Sequence, residues 1–184
     1  MNSAVIFFVL LIFFLGALVM TSLFYSAIRY VPFVPTEVYV MKKMIAAAEL
    51  KDGQRVFDLG CGDGRLLIEA MRKKHVKATG VEVNRLISWL ARFRLWMNRK
   101  KAKIICGNFF QTPLRESDVI FCYLFPRVMQ QLKEKFEAEL KKGTTIVSYC
   151  FPIKAWKPTR VITTRASKPH NFLIYVYHTP CQKA

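Results

Sequence analysis

Acidic residues are few in this chain. Twelve Asp and Glu stand against 29 Lys and Arg, a formal net charge of +17 over 184 residues. Charged residues total only 22% against 53% hydrophobic, which excludes a disordered chain and leaves ample material for a core. The basic surplus favours anionic partners: a phospholipid headgroup surface, nucleic acid or an acidic protein. For any single Lys a solvated surface is the simpler reading. Histidine is scarcer still: His75, His170 and His178 are scattered and suggest no metal site. The five cysteines, Cys61, Cys106, Cys122, Cys150 and Cys181, form no C-x-x-C pair and have no disulfide-like spacing. Most sit in apolar, strand-like segments and read as reduced core thiols of a cytosolic compartment. No repeat and no low-complexity segment is present.

Charge is missing altogether from Ala4 to Ile28, a run dominated by Phe, Leu, Val and Ile. About 20 helical residues cross a bilayer core of about 30 Å, so the run is long enough to span. A secretory signal would carry a basic n-region and a shorter apolar stretch. A buried core helix is seldom apolar on every face. The run therefore reads as a retained anchor over residues 1–28. Arg29, Lys42 and Lys43 follow it and nothing basic precedes it, which places the N-terminus outside and the rest in the cytoplasm. All of the net charge lies after the anchor. Attraction to anionic lipid then accounts for the excess. A linker and first helix occupy residues 29–53, and a single domain occupies 54–184.

Pro32 and Pro35 enforce an extended path after the anchor. Thr36 can cap a helix starting near Glu37, with Val40, Met44, Ile45 and Ala48 on its apolar face, ending before Asp52-Gly53. Strand and helix then alternate. "RVFDLG", "KATGVEV", "AKIICG", "SDVIFCYL" and "TTIVSYCF" read as buried strands, and "GRLLIEAMRKK" and Asn84 to Asn98 as helices. A further helix opens at Pro126, with Val128, Met129, Leu132, Phe136 and Leu140 facing inward. Such alternation implies a parallel α/β sheet with right-handed crossovers. Two more strands, around Arg160 to Thr164 and Asn171 to His178, are linked closely enough to pair as an antiparallel hairpin.

The segment "VFDLGCGDGR" ends a strand at Asp58 and turns through Gly60, Gly62 and Gly64 into a helix. In open α/β sheets ligands bind at such strand ends, beside helix N-termini. The third glycine of a dinucleotide fingerprint is missing, because Arg65 stands in its place. The second strand ends in Glu82, where a carboxylate can accept hydrogen bonds from ribose hydroxyls. The pattern acidic-x-G-x-G-x-G resembles motif I of class I S-adenosylmethionine methyltransferases, whose ligand is a cation rather than a pyrophosphate. Beyond that motif, "YVPFVPT", "GVEVN", the fourth strand running into "YLFP", "LKKGTTIVS" and "FPIKAWKP" follow in order. Together they resemble the small membrane-associated methyltransferases that include the ATP-synthase c-subunit lysine methyltransferase and its prokaryotic relatives. The resemblance covers nearly everything after the anchor. It implies a Rossmann-like fold and S-adenosylmethionine bound by Asp58, Gly60, Gly62 and Glu82. Asn108 and Phe109 would flank the adenine, and Thr36 would line the same pocket. Many class I enzymes carry Asp where this chain has Asn108, whose amide can still bond the adenine amino group.

The acceptor side is less legible. The Asn/Asp-Pro-Pro-aromatic signature of nucleobase and glutamine amino-methylating enzymes is missing after strand four. Tyr123 is the candidate there for orienting an amine. A tyrosine that merely covers the adenine or the sheet end is an equal reading. Phe125 and Pro126 are candidate walls of the same slot. Asp118 reads as a structural hydrogen-bonding residue before a catalytic base. Asp63 and Arg65 suit local pairing as well as ligand contact, and Glu37 at a helix N-terminus needs no functional reason. The resemblance favours a lysine of a membrane or membrane-proximal protein as acceptor. A lipid or other small molecule, or a non-catalytic cofactor-binding assembly role, stand as alternatives. Nucleic acid fits less well, since no aromatic-rich binding motif or added domain accompanies the charge. In the helix from Asn84, Leu86, Leu90, Phe93 and Met97 are expected to form the core stripe. Arg85, Arg92 and Arg99 form a ridge with Trp89 and Trp96 between, suited to a headgroup interface or to the margin of a packed face.

Overall fold

The computed structural model describes residues 3–29, 34–164 and 172–181. It divides the chain into Met1–Val34 and Pro35–Ala184, each compact within itself. Among its described residues the first unit holds one helix, α1 (Ser3–Arg29), whose segment Ser3–Thr21 is long and apolar enough to cross a membrane by length and composition. Its large side chains from Val5 to Met20 are exposed to surroundings rather than to a core.

The second unit begins with α2 (Val38–Ala48), whose buried face is Val40, Met41, Met44, Ile45, Ala47 and Ala48. Its N-cap is Glu37, and no side chain caps it, so the expected cap by Thr36 does not form. Five parallel strands follow: β1 (Arg55–Leu59), β2 (Lys77–Glu82), β3 (Lys103–Cys106), β4 (Val119–Cys122) and β5 (Thr145–Tyr149). Helices α3 (Arg65–Lys73), α4 (Arg85–Met97) and α5 (Pro126–Glu139) intervene. Last come β6 (Arg160–Thr163) and β7 (Leu173–His178), paired antiparallel, with β7 inserted against β5. The sheet order is β3-β2-β1-β4-β5-β7-β6. This is the expected Rossmann-like α/β sheet with a C-terminal antiparallel hairpin.

Strand alternation divides the core between two faces. Val56, Phe121, Val147, Ile174 and Val176 join α2 and the Leu66 and Ala70 side of α3 in one cluster. Tyr177, next to Val176 and therefore on the other face, stacks edge-on against Trp156, which meets Phe136 of α5. Pro126 occupies the first turn of α5, where its missing N–H has no partner to lose.

Two further expectations fail. The buried stripe of α4 is Ile87, Ser88, Ala91 and Leu95, while Leu86, Leu90, Phe93 and Met97 are exposed. The reason is steric. A Cβ added at Gly64 would lie 3.4 Å from the Ala91 Cβ, so the helix packs closely on the glycine turn and only small residues fit between. Close approach fixes a small residue at Ala91, while Ile87 and Leu95 fill the rest of the buried stripe. Cys106 is exposed rather than a core thiol, because β3 is an edge strand of the sheet; Cys61 and Cys122 are buried.

Candidate functional site

The C-terminal ends of β1, β2 and β4 meet around the glycine turn. Asp58 is the last residue but one of β1, buried at 7% exposure. Among the described residues no Lys or Arg pairs with it. Burial, and then the carboxylates of Glu82 and Asp63, push its pKa up to about 7. A cation beside it would reverse that shift.

The turn itself is tied to β2. Gly60 and Cys61 both donate their N–H to the Val81 carbonyl, at 2.9 and 3.0 Å. The Glu82 carboxylate accepts from the Gly62 N–H at 3.1 Å and the Asn84 N–H at 2.9 Å. Each oxygen thus keeps acceptor capacity for a further donor such as a sugar hydroxyl. Burial raises the Glu82 pKa, against the lowering by those backbone donors. Gly62 has φ of 54°, in the left-handed region that costs any residue with a Cβ. Asn84 caps α4 by accepting from the Leu86 and Ile87 N–H groups, which fixes the helix head beside Glu82.

The third acid behaves oppositely. Asp63 is 2% exposed and binds Arg65 through both oxygens, and it pairs also with Arg94 of α4. Burial resists ionisation, but the Arg65 hydrogen bonds and both guanidinium charges hold its carboxyl below the usual range. Arg65 further donates to the Thr36 carbonyl at 3.3 Å, joining the segment before α2 to the turn. Asp63 and Arg65 therefore pair locally and brace the turn. Neither role needed a ligand.

Around the adenine-side positions, the Asn108 side-chain oxygen accepts from the Phe110 N–H at 2.9 Å. Phe109 is buried against Phe110, with ring centroids 4.9 Å apart. On the other side of the turn, Leu124 comes within 3.0 Å of where a Gly60 Cβ would stand. Beside it Tyr123 is half-buried, its ring 4.7 Å from that of Tyr149 and 6.5 Å from that of Phe151. Phe125 meets Phe151 edge-on at 6.1 Å. Burial raises the Tyr123 pKa, so the hydroxyl stays protonated at neutral pH.

Sequence reasoning singled out Tyr123 and Phe125 but missed Tyr149 and Phe151. The signal was available: β4 and β5 run parallel, and Cys122 aligns with Ser148, so the residues just beyond must meet. It missed Gly80 as well. A Cβ there would stand 2.6 Å from the Cys61 sulfur and 2.8 Å from Leu67 Cδ1. Asp118 sits at the opposite, N-terminal end of the strands, accepting from the Arg55 N–H and pairing with Lys141, as the structural reading expected.

A buried carboxyl in need of a cation, an acid with spare acceptor capacity at the end of β2, and a glycine turn between them fit a ligand with an ammonium and a ribose. Comparison with known proteins agrees. Residues 58–160 match the ANTKMT methyltransferase domain family. Identity is 39% over 155 residues to a protein-lysine N-methyltransferase of Saccharolobus islandicus, covering 83% of this chain and 96% of that one. It is 30% over 132 residues to the human ATP-synthase c-subunit lysine N-methyltransferase and 31% over 134 residues to the mouse adenine nucleotide translocase lysine N-methyltransferase. These matches cover 71% and 72% of this chain, and 56% and 58% of the human and mouse enzymes. Among solved structures, an RNA methyltransferase from Salinibacter ruber in complex with S-adenosyl-L-homocysteine aligns with a TM-score of 0.74 at 28% identity, over 80% of this chain and 94% of that one.

Proposed function

The chain belongs to the ANTKMT methyltransferase domain family, and on that ground we propose that it methylates lysine of a membrane-embedded or membrane-adjacent protein, with S-adenosylmethionine as methyl donor. The cofactor supplies an electrophilic methyl group on a sulfonium. Asp58 holds the positive end of this ligand, Glu82 its ribose, and the Gly60 and Gly62 backbone leaves room for close approach. Asn108 and Phe109 border the adenine, and Thr36, held by Arg65, borders the same pocket.

The acceptor amine enters where Tyr123, Tyr149, Phe151 and Phe125 cluster. An ordinary lysine, with a pKa of about 10.4, is protonated at neutral pH and has no free lone pair. Desolvation among four rings disfavours the charged form, and the Tyr123 hydroxyl accepts or donates one hydrogen bond that orients the nitrogen. When bound, S-adenosylmethionine would supply its methyl group to the nitrogen lone pair, and the ring cluster would hold the amine in line while its proton leaves to water. Alignment is the protein's main contribution.

The observation that carries this reading is the buried Asp58 beside the glycine turn, which no Lys or Arg among the described residues pairs with, together with the ring cluster of Tyr123 and Tyr149 at the ends of β4 and β5. The apolar helix α1 supports placement at a membrane. With Arg29, Lys42 and Lys43 following it, the catalytic domain lies on the cytoplasmic side. The likeness to an RNA methyltransferase at 28% identity names a different acceptor, but the 39% match names lysine. The deciding experiment supplies methyl-labelled cofactor to membranes with and without the enzyme, then separates protein, lipid and RNA. Label on protein lysine is the expected result. Label confined to lipid or to RNA would overturn it.

A further inference from the structure

Helix α4 carries six large apolar residues that nothing in the described chain covers: Leu86, Trp89, Leu90, Phe93, Trp96 and Met97. At about 100° per residue they share an arc of about 120°, opposite the buried Ile87, Ser88, Ala91 and Leu95. Trp89 stacks on Phe93 at 5.8 Å, and Phe93 meets Trp96 at 5.9 Å, so the face is a continuous aromatic ridge. A solvated helix would not present it. Arg85 and Arg92 stand on one flank of the helix and Arg99 just beyond its C-terminal end; all three are exposed, and Arg92 also donates to the Ile104 carbonyl at 3.0 Å. Between Glu82 and Glu116 the chain has no acidic residue.

We propose that the exposed face of α4 is a lipid-binding surface that lies in the headgroup layer of an anionic leaflet. Aromatic rings at the acyl boundary with arginines reaching back to phosphates is the arrangement of an interfacial amphipathic helix. The charge decides between occupants. A second copy would bring rows of arginine together, which like-charge repulsion disfavours, whereas an anionic surface complements them. The consequence reaches the site. Asn84 caps this helix beside Glu82, so an α4 lying flat holds the glycine turn within one helix length, about 20 Å, of the bilayer surface. The proposal stands apart from whether α1 crosses the membrane.

Tryptophan emission tests it in the full chain. Of the three tryptophans, two are on this face, α1 has none, and Trp156 is buried at 5% exposure, an internal reference. In anionic vesicles with brominated acyl chains, total emission should be roughly halved, as expected for two boundary-seated rings of three. The Trp89→Phe/Trp96→Phe chain should lose that response, and Arg85→Glu/Arg92→Glu/Arg99→Glu should lose most of it while keeping the Trp156 signal. Emission untouched by brominated lipid but open to aqueous acrylamide overturns the proposal. So does protection from both quenchers with self-association in sedimentation, which would mark an interface between copies. Resistance to alkaline carbonate extraction reads α1 separately.

Discussion

Three carboxyl groups converge on the glycine turn, and their surroundings drive them apart. Asp63 is held ionised by two arginines, while Asp58, near 7, has none. A cationic ligand selects ionised Asp58, so binding releases a proton below about pH 7 and affinity falls with pH there. From pH 7 to pH 6, S-adenosylhomocysteine should bind about fivefold more weakly, and Asp58→Asn should bind weakly with a flat pH profile. Calorimetry in buffers of different ionisation enthalpy checks both. The folding linkage has the same origin. A carboxyl raised in the fold from 3.8 to about 7 lowers the stability of the ligand-free protein as pH climbs through that window. The increase in melting temperature with saturating ligand should therefore be larger at pH 8 than at pH 6. Glu82→Ala should weaken binding by about 1.5–3 kcal/mol, since it removes a charged hydrogen-bonding partner. Gly80→Ala forces a Cβ toward the Cys61 sulfur and should destabilise the fold by about 1–3 kcal/mol, measured by denaturant unfolding.

At the scale of elements, the β4 and β5 ends and the head of α4 build the two halves of the site. Tyr123→Phe keeps the ring and its contact with Tyr149 but removes the hydroxyl. Turnover should fall about 10- to 100-fold, the effect of losing one hydrogen bond that orients a reactant, with S-adenosylhomocysteine affinity nearly unchanged. Equal turnover in variant and parent would make the tyrosine a wall of the slot. The buried side of α4 answers to a different test. Ala91→Leu pushes bulk between the helix and Gly64, so it should lower both stability and ligand affinity, whereas Leu90→Ala on the exposed side should do neither in aqueous solution.

At the scale of the molecule, an apolar helix and a complete α/β unit share one chain. The second unit has its own core, so a chain starting at Pro35 should be soluble and retain cofactor affinity. It should nonetheless methylate a native membrane target far more slowly than the full chain. Confinement to the bilayer raises the effective concentration of a membrane-bound partner without any new contact. Equal rates of target methylation with and without residues 1–34 would remove the case for membrane confinement.

What was legible in the sequence were features of local pattern: the alternation of strands and helices, the closing hairpin, the acidic-glycine turn with Glu82 after it, and the long apolar helix. Each depends on periodicity or on residues close in the chain, so one dimension suffices. Tertiary structure alone decided the rest. The inward face of α4 followed from how closely it approaches Gly64, which favours Ser88 and Ala91 over the more hydrophobic Leu86 and Phe93. The opposite behaviour of Asp58 and Asp63 followed from burial without a cationic partner at the first, and at the second from Arg65 joined by Arg94, which folds back from 31 positions along the chain. The ring cluster around Tyr123 followed from the parallel register of β4 and β5. Packing distance, burial and charge proximity are properties of the folded chain, and no residue carries them by itself.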